Sequence, residues 1–315
     1  MTITVAVVGC GRWGSVHLAS LAEMKSSGQV NRVIACDVDE VALNNVIHAD
    51  ATYSSVDEMV GAEQPNLAII ATPNPTHYPL GMALLKNGLN LLIEKPFAPS
   101  PDAAATLIQE AINSGCTVSS GHLLRHHPGF QQAKHILLSG EIGETTQAKY
   151  IRKTVRSKPS LVGVVEGLAS HGIDALDYFF PKIDALDYFF PQQFEFSSPH
   201  VIKQGTDHLY LEIPPSLRPT SSLTKGCIEV AWGAEKEERT LQMIGTKGNV
   251  EVDFSQHQTI SVNGEQRLLN NQTTPLIAQI QTALHRKEMS VELSQSLINT
   301  TMNVAVTKTA LSLGK

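Results

Sequence analysis

The sequence predicts an α/β fold in two parts: an N-terminal doubly wound parallel sheet, then an α+β domain whose open sheet is mostly antiparallel. Three observations predict it. Up to Gly121, short β-branched runs alternate with amphipathic stretches, the rhythm of repeated βαβ units. A glycine-rich turn directly follows the first of these runs. Beyond Gly121 several strand-like runs come in succession, which suits antiparallel pairing. The boundary is expected between residues 1–122 and 123–315.

In the first part, residues 3–8, 30–36, 67–71, 89–94 and 116–119 read as strands. Residues 11–25, 77–87 and 101–113 carry apolar side chains at helical spacing, and Gly88 and Gly115 stand where two of these helices should stop. In the second part, residues 129–138 and 163–180 read as helices around a strand at 145–155. Strands follow at 194–201, 209–213, 226–232, 239–244 and 249–254, and helices at 275–286 and 292–313 close the chain. Pro214, Pro215 and Pro219 mark a surface loop.

A chain of 315 residues, 42% hydrophobic, can bury one or two cores. Its 24 basic and 30 acidic residues are mixed without a long run of either sign, so no electrostatic footprint for nucleic acid is visible. Small-molecule partners are favoured. The four cysteines are too scattered for a zinc site or a disulfide framework and read as reduced thiols; with no secretory signal and no membrane-length apolar run, a cytoplasmic location is expected.

Ile173-Asp-Ala-Leu-Asp-Tyr-Phe-Phe-Pro181 recurs letter for letter at 183–191, with Lys182 between the copies. This is a tandem duplication, too short for a solenoid. Each copy ends in proline, which argues against one unbroken helix through both.

Gly9-Cys10-Gly11-Arg12-Trp13-Gly14 sits between the first strand and the first helix, the context that gives a GxGxxG motif meaning. Gly9 allows the tight turn, Gly11 admits a pyrophosphate, and Gly14 lets helix and strand pack closely. The helix start adds a partial positive charge for the anion. Asp37 ends the second strand, where a carboxylate accepts from an adenosine ribose and repels a 2′-phosphate. Val38 and Asp39 follow it rather than arginine, so NAD is favoured over NADP. The alternative is an Asp that caps the next helix.

Glu94-Lys95-Pro96 ends the run at 89–94, and ligands in such sheets bind outside the strands' carboxyl ends, which puts Lys95 near the nicotinamide. Pro96 keeps Lys95 out of helical geometry and admits a cis bond. His122, Arg125, His126 and His127 lack acidic or cysteine partners at ligand spacing, so no metal is expected; Arg125 suits an anionic substrate group such as a phosphate.

Together GCGRWG, ATPNPTHY, EKPFA and GHLLRHHPGF with SGEIGE resemble the Gfo/Idh/MocA oxidoreductase family, across nearly the whole chain including GTKGNVEVD. Within it, GHLLRHHP is most similar to the UDP-N-acetylglucosamine 3-dehydrogenase branch. The resemblance implies a Rossmann domain for NAD, a sugar or nucleotide-sugar substrate, and a homodimer or homotetramer formed through the open sheet. It implies that Lys95 contacts substrate and nicotinamide and that His171 is catalytic, since His171-Gly-Ile-Asp174 fits H-x-x-D. It assigns Thr72, Asn74, His77 and Glu94 to the cofactor and His122, Arg125 and Asp174 to the substrate. For His77 the alternative is an exposed residue behind a helix capped by Thr76.

Many relatives carry an Asp four residues before the histidine. Here that position is Gly167, with Glu166 one place earlier; either Glu166 substitutes or the site works without the carboxylate. His171 then removes the hydroxyl proton as hydride leaves, and Lys95 stabilises the developing alkoxide. A cofactor-binding sensor or impaired paralogue is the competing reading. Its motive is the duplication, which begins two residues after His171 and could displace the helix that carries it.

Overall fold

The computed structural model describes residues 2–158, 163–180, 200–204, 208–213, 225–270 and 273–290, with positions 293, 294, 297, 301 and 304 beyond them. The chain divides into two units, one of Met1–His122 with Pro275–Thr301, the other of Leu123–Thr274 with Met302–Lys315.

The first unit carries six parallel strands: β1 (Thr4–Val8), β2 (Arg32–Cys36), β3 (Ala51–Tyr53), β4 (Leu67–Ile70), β5 (Leu91–Ile93) and β6 (Val118–Ser120), ordered β3-β2-β1-β4-β5-β6. The runs are nearly continuously apolar because helices cover both faces: β4 and β5 are buried at every position. The chain leaves β1 towards β2 and later returns to β4 on its other side, so the strand order reverses at β1/β4, where such sheets bind ligands.

Helices α1 (Arg12–Ser26), α4 (His77–Lys86) and α5 (Pro101–Asn113) fall where the periodicity puts them. Pro101 opens α5, and Ser100 Oγ caps it by accepting from Ala103 N–H at 3.2 Å. Gly88 and Gly115 adopt φ of +79° and +66° just past α4 and α5, the left-handed conformation that ends helices. The sequence misses β3, α2 (Glu40–Asn44) and α3 (Val56–Ala62), each too short to declare a period. Pro275–Thr301 belongs to the first unit, whereas the sequence assigns it to the second. On α8 (Pro275–His285), Gln279 Nε2 donates to Ser120 O at 3.3 Å and Gln281 Nε2 to Gln29 Oε1 at 2.5 Å.

The second unit opens with α6 (Pro128–Leu138) and β7 (Thr145–Lys153). A π-helical turn, Val165–Ala169, runs into α7 (Ser170–Phe179). Then come β8 (His200–Gln204), β9 (His208–Ile213), β10 (Lys225–Ala231), β11 (Glu238–Gly245), β12 (Asn249–Asp253), β13 (Thr259–Val262) and β14 (Glu265–Leu268). The sheet order is β14-β13-β12-β11-β7-β10-β9-β8; β7 and β10 pair parallel and the other neighbours antiparallel. The core lies between helices and sheet around Phe130, Tyr150 and Phe254, with Tyr150 stacked on Phe254 at 5.3 Å.

The first duplicated copy forms most of α7. The second copy, 183–191, and the break expected at Pro181 lie outside the described residues, as do the Pro214–Pro219 loop, most of the strand expected at 194–201 and much of the helix expected at 292–313. Among the described residues no helix is long and apolar enough to cross a membrane.

Candidate cofactor and catalytic site

The turn from β1 into α1 gives its three glycines different tasks. Gly9 has φ +96°, and a Cβ on it would stand 2.8 Å from the backbone of Ala71 and Thr72. A Cβ on Gly14 would fall 1.8 Å from Gly9 O. Gly11 differs: its φ is −66°, and nothing lies within 4 Å of its Cβ position. Two glycines therefore serve the packing of the turn, while the third faces open space at the start of a 15-residue helix with no acidic residue in its first turn. Such a helix start presents N–H groups and a positive dipole end, which fits a pyrophosphate. Arg12 is exposed there, and Trp13 is 40% exposed.

Asp37 follows β2 and is bound to this turn. Its Oδ2 accepts from Cys10 N–H at 2.6 Å and its Oδ1 from Asp39 N–H at 2.9 Å. The helix cap of α2 is Asp39 rather than Asp37. Cys10 is buried, and burial together with the Asp37 charge pushes its thiol up to about 11. All four cysteines are free and buried.

Beyond β4, Thr72, Asn74 and His77 do not form one exposed row. Thr76 Oγ1 donates to Pro73 O and pairs with the Thr72 hydroxyl, both at 2.7 Å, and makes no cap to α4. Asn74 is exposed. His77 is 1% exposed, which removes the alternative of an exposed residue; its Nδ1 lies 2.9 Å from Pro96 O and its Nε2 2.8 Å from Thr72 O.

The Lys95–Pro96 peptide is cis. On its N-terminal side, Glu94 is buried, with Oε2 accepting from Lys95 N–H at 3.2 Å and Oε1 2.8 Å from His17 Nε2 on α1. Gly121 completes this seat, since a Cβ there would meet Glu94 Oε2 at 2.7 Å. Glu94, which the resemblance assigns to the cofactor, also holds the loop together through these contacts. The sequence reading missed His17 and Gly121. His17 was within reach, because it lies on the buried face of α1 with Gly14, Leu18 and Leu21. His122, at the end of the first unit's N-terminal segment, is buried with its N–H on Ser120 O at 2.7 Å.

In the second unit His171 is the second residue of α7, directly after the π-helical turn. Such turns recur at functional sites. Gly172 brings α7 close to the sheet: a Cβ there would fall 2.6 Å from Tyr150 Cδ1 and 2.9 Å from Ile228 Cγ2. Glu166 turns its carboxylate back over Gly163, where a Cβ would lie 2.4 Å from its Oε2.

Arg125 and Asp174, both assigned to substrate, are brought to each other. Arg125 Nε donates to Asp174 Oδ1 at 2.8 Å, and Nη2 stands 2.6 Å from Asp174 Oδ1 and 3.2 Å from Asp177 Oδ2. The Tyr178 ring lies 5.7 Å from the guanidinium. Burial alone would lower the Arg125 pKa, yet the two carboxylates outweigh it and hold the guanidinium above its usual range. Among the described residues no group of three or more His, Cys, Asp or Glu could hold a metal.

Comparison with known proteins identifies the glycine turn and its sheet. Residues 3–122 match the oxidoreductase family with an NAD-binding Rossmann fold, designated GFO_IDH_MocA. Residues 3–122 are thereby identified as similar to the NAD-binding domain of the Gfo/Idh/MocA family. An inositol 2-dehydrogenase of Rubrobacter xylanophilus is 28% identical over 185 residues, 57% of this chain and 53% of that protein. The chain spans about half the length of the curated relatives it matches. Among solved structures, a 3-ketoreductase of Actinomadura kijaniata in complex with NADP and TDP-benzene superposes with a TM-score of 0.78 at 14% identity, covering 98% of both chains. A UDP-N-acetylglucosamine 3-dehydrogenase of Acidithiobacillus ferrooxidans gives 0.72 at 19% identity, again over 98% of each. At these identities the likeness is one of fold.

Proposed function

We propose that this chain is a Gfo/Idh/MocA protein and an NAD-dependent dehydrogenase of a ring hydroxyl on a sugar or nucleotide sugar, with oxidation at the 3-position of UDP-N-acetylglucosamine as the specific candidate. The observation that carries this reading is the turn in which Gly11 alone opens to space while Asp37 closes on Cys10 N–H. Gly11 and the start of α1 hold the pyrophosphate, and Asp37 holds the adenosine ribose and disfavours a 2′-phosphate. Bound there, the nicotinamide supplies the hydride acceptor.

Lys95 and His171 are the catalytic pair. His171 takes the hydroxyl proton, and Lys95 donates a hydrogen bond that stabilises the alkoxide forming on the same oxygen. The first unit is the cofactor domain and the second the substrate domain, whose open sheet supports a homodimer or homotetramer. Free buried thiols suit a reducing, cytoplasmic setting. Two similar proteins, an inositol 2-dehydrogenase and a UDP-N-acetylglucosamine 3-dehydrogenase, are by name dehydrogenases of ring hydroxyls, which supports that class.

The test is NADH formation from NAD with UDP-N-acetylglucosamine, inositols, uronates and free sugars, alongside NADP as competitor. Turnover lost in Lys95→Ala and His171→Ala, with NADH affinity kept, is expected. NADH binding without turnover on any substrate would favour a sensor or impaired paralogue.

A further inference from the structure

Lys95 projects from a loop that leaves the sheet where its ladder stops. The last bond there runs from Glu94 N–H to Ile70 O at 2.9 Å. Past it, the segments after β4 and β5 have only side chains to fix their separation. On one side of Lys95 the Glu94 carboxylate, itself against His17, takes the Lys95 N–H. On the other side the carbonyl of Pro96 is met by His77.

We propose that His77 is the positioning residue of Lys95, spanning the two segments by bonding the carbonyl of Thr72 with one ring nitrogen and that of Pro96 with the other. The proposal rests on the reading of Lys95 as a catalytic residue. Both carbonyls can only accept, so the two bonds form together when each ring nitrogen carries a proton. An exposed histidine would exchange these bonds with water; at 1% exposure His77 does not. Thr72 also lines the glycine turn, because a Cβ on Gly9 would meet its backbone nitrogen at 2.8 Å. One imidazole therefore ties the backbone beside the cofactor turn to the residue after Lys95. Displacement of a reacting group by about 1 Å can cost on the order of 100-fold in rate.

The experiment uses the full chain and two variants, His77→Phe, a ring without donors, and His77→Gln, with a single amide nitrogen as donor group. Lysines are reductively methylated with 13C-formaldehyde, and the Lys95 signal is assigned by its absence in Lys95→Arg. Expected in His77→Phe is a Lys95 signal moved to the position of solvent lysines and a turnover reduced by about tenfold or more, with NADH affinity kept. His77→Gln should recover part of both.

An unmoved Lys95 signal in His77→Phe would overturn the proposal. So would turnover and NADH affinity falling together in proportion to lost thermal stability, the mark of a purely structural histidine. Should the Phe variant fail to fold, His77→Asn replaces it, since a single amide nitrogen cannot serve both carbonyls across the width of a ring. If no substrate turns over in the unsubstituted protein, the dehydrogenase reading fails while the Lys95 signal still decides the positioning role.

Discussion

Glu94 Oε1 and His17 Nε2 meet at 2.8 Å, with the His17 side chain fully buried and that of Glu94 11% exposed, so the helix beneath the glycine turn and the loop carrying Lys95 share one hydrogen bond. Glu94→Ala strands His17 Nε2 and the Lys95 N–H together. Leaving such buried groups unsatisfied costs about 1–3 kcal/mol, and Glu94→Gln, which keeps an acceptor, should lose less. Thermal melts of the two variants check this; an alanine variant as stable as the parent would show that the bond contributes nothing.

The glycines of the turn should separate folding from binding. Gly14→Ala drives a Cβ to within 1.8 Å of Gly9 O and should lower both stability and NADH affinity. Gly11→Ala meets no atom within 4 Å and keeps an ordinary φ of −66°, so it should fold normally. Its methyl nonetheless takes the space assigned to the pyrophosphate, and NADH affinity should fall by about tenfold or more, about 1.4 kcal/mol or more. NADH titration by fluorescence, paired with a melt, reads both; unchanged affinity in Gly11→Ala would remove the phosphate from this turn.

What the sequence discloses follows from how far its signals reach. Buried parallel strands are apolar runs, and α5 announces itself through Ser100, Pro101 and Gly115, so these are legible. The hairpin of β13 and β14 was legible too and was missed: Asn263-Gly264 adopts φ of +53° and +82°, the pair that two-residue hairpin turns demand. The bonds of His77, Glu94 and Arg125 were not legible. They join residues 5, 19, 77, 49 and 52 positions apart, and spacing along a chain says nothing about which carbonyl or carboxylate will arrive. For Arg125, residue type suggests a phosphate, and the two aspartates of α7 that meet it could not be read from spacing.

That arrangement separates two roles for Arg125. Arg125→Ala leaves Asp174 and Asp177 buried without their cation, which typically costs about 3–5 kcal/mol, here towards the lower figure because the guanidinium is 21% exposed. Arg125→Lys keeps a charge but loses the fork that reaches both carboxylates. If Arg125 serves the fold, the lysine variant should melt lower and show the same KM as the parent for UDP-N-acetylglucosamine. A KM raised for that substrate and not for inositols, with stability kept, would return Arg125 to the phosphate.

His127 gives the second unit a pH dependence of definite sign. It is 1% exposed, its Nδ1 accepts from Gly129 N–H at 3.1 Å to cap α6, and His257 stands 4.9 Å away ring to ring. Burial, then the neighbouring His257, pushes its pKa down to about 4 from an ordinary 6.5. Between these values the unfolded chain holds a proton that the folded chain refuses, so stability is full above pH 6.5 and is lost as pH falls towards 4. The whole loss is about 3 kcal/mol. His127→Asn keeps a good capping side chain and removes the titration. Melting temperatures from pH 7 to 4.5 should therefore fall more steeply for the parent than for the variant, starting from a parent that is more stable at pH 7; parallel curves would mean that His127 accepts its proton in the folded state as readily as in the unfolded one.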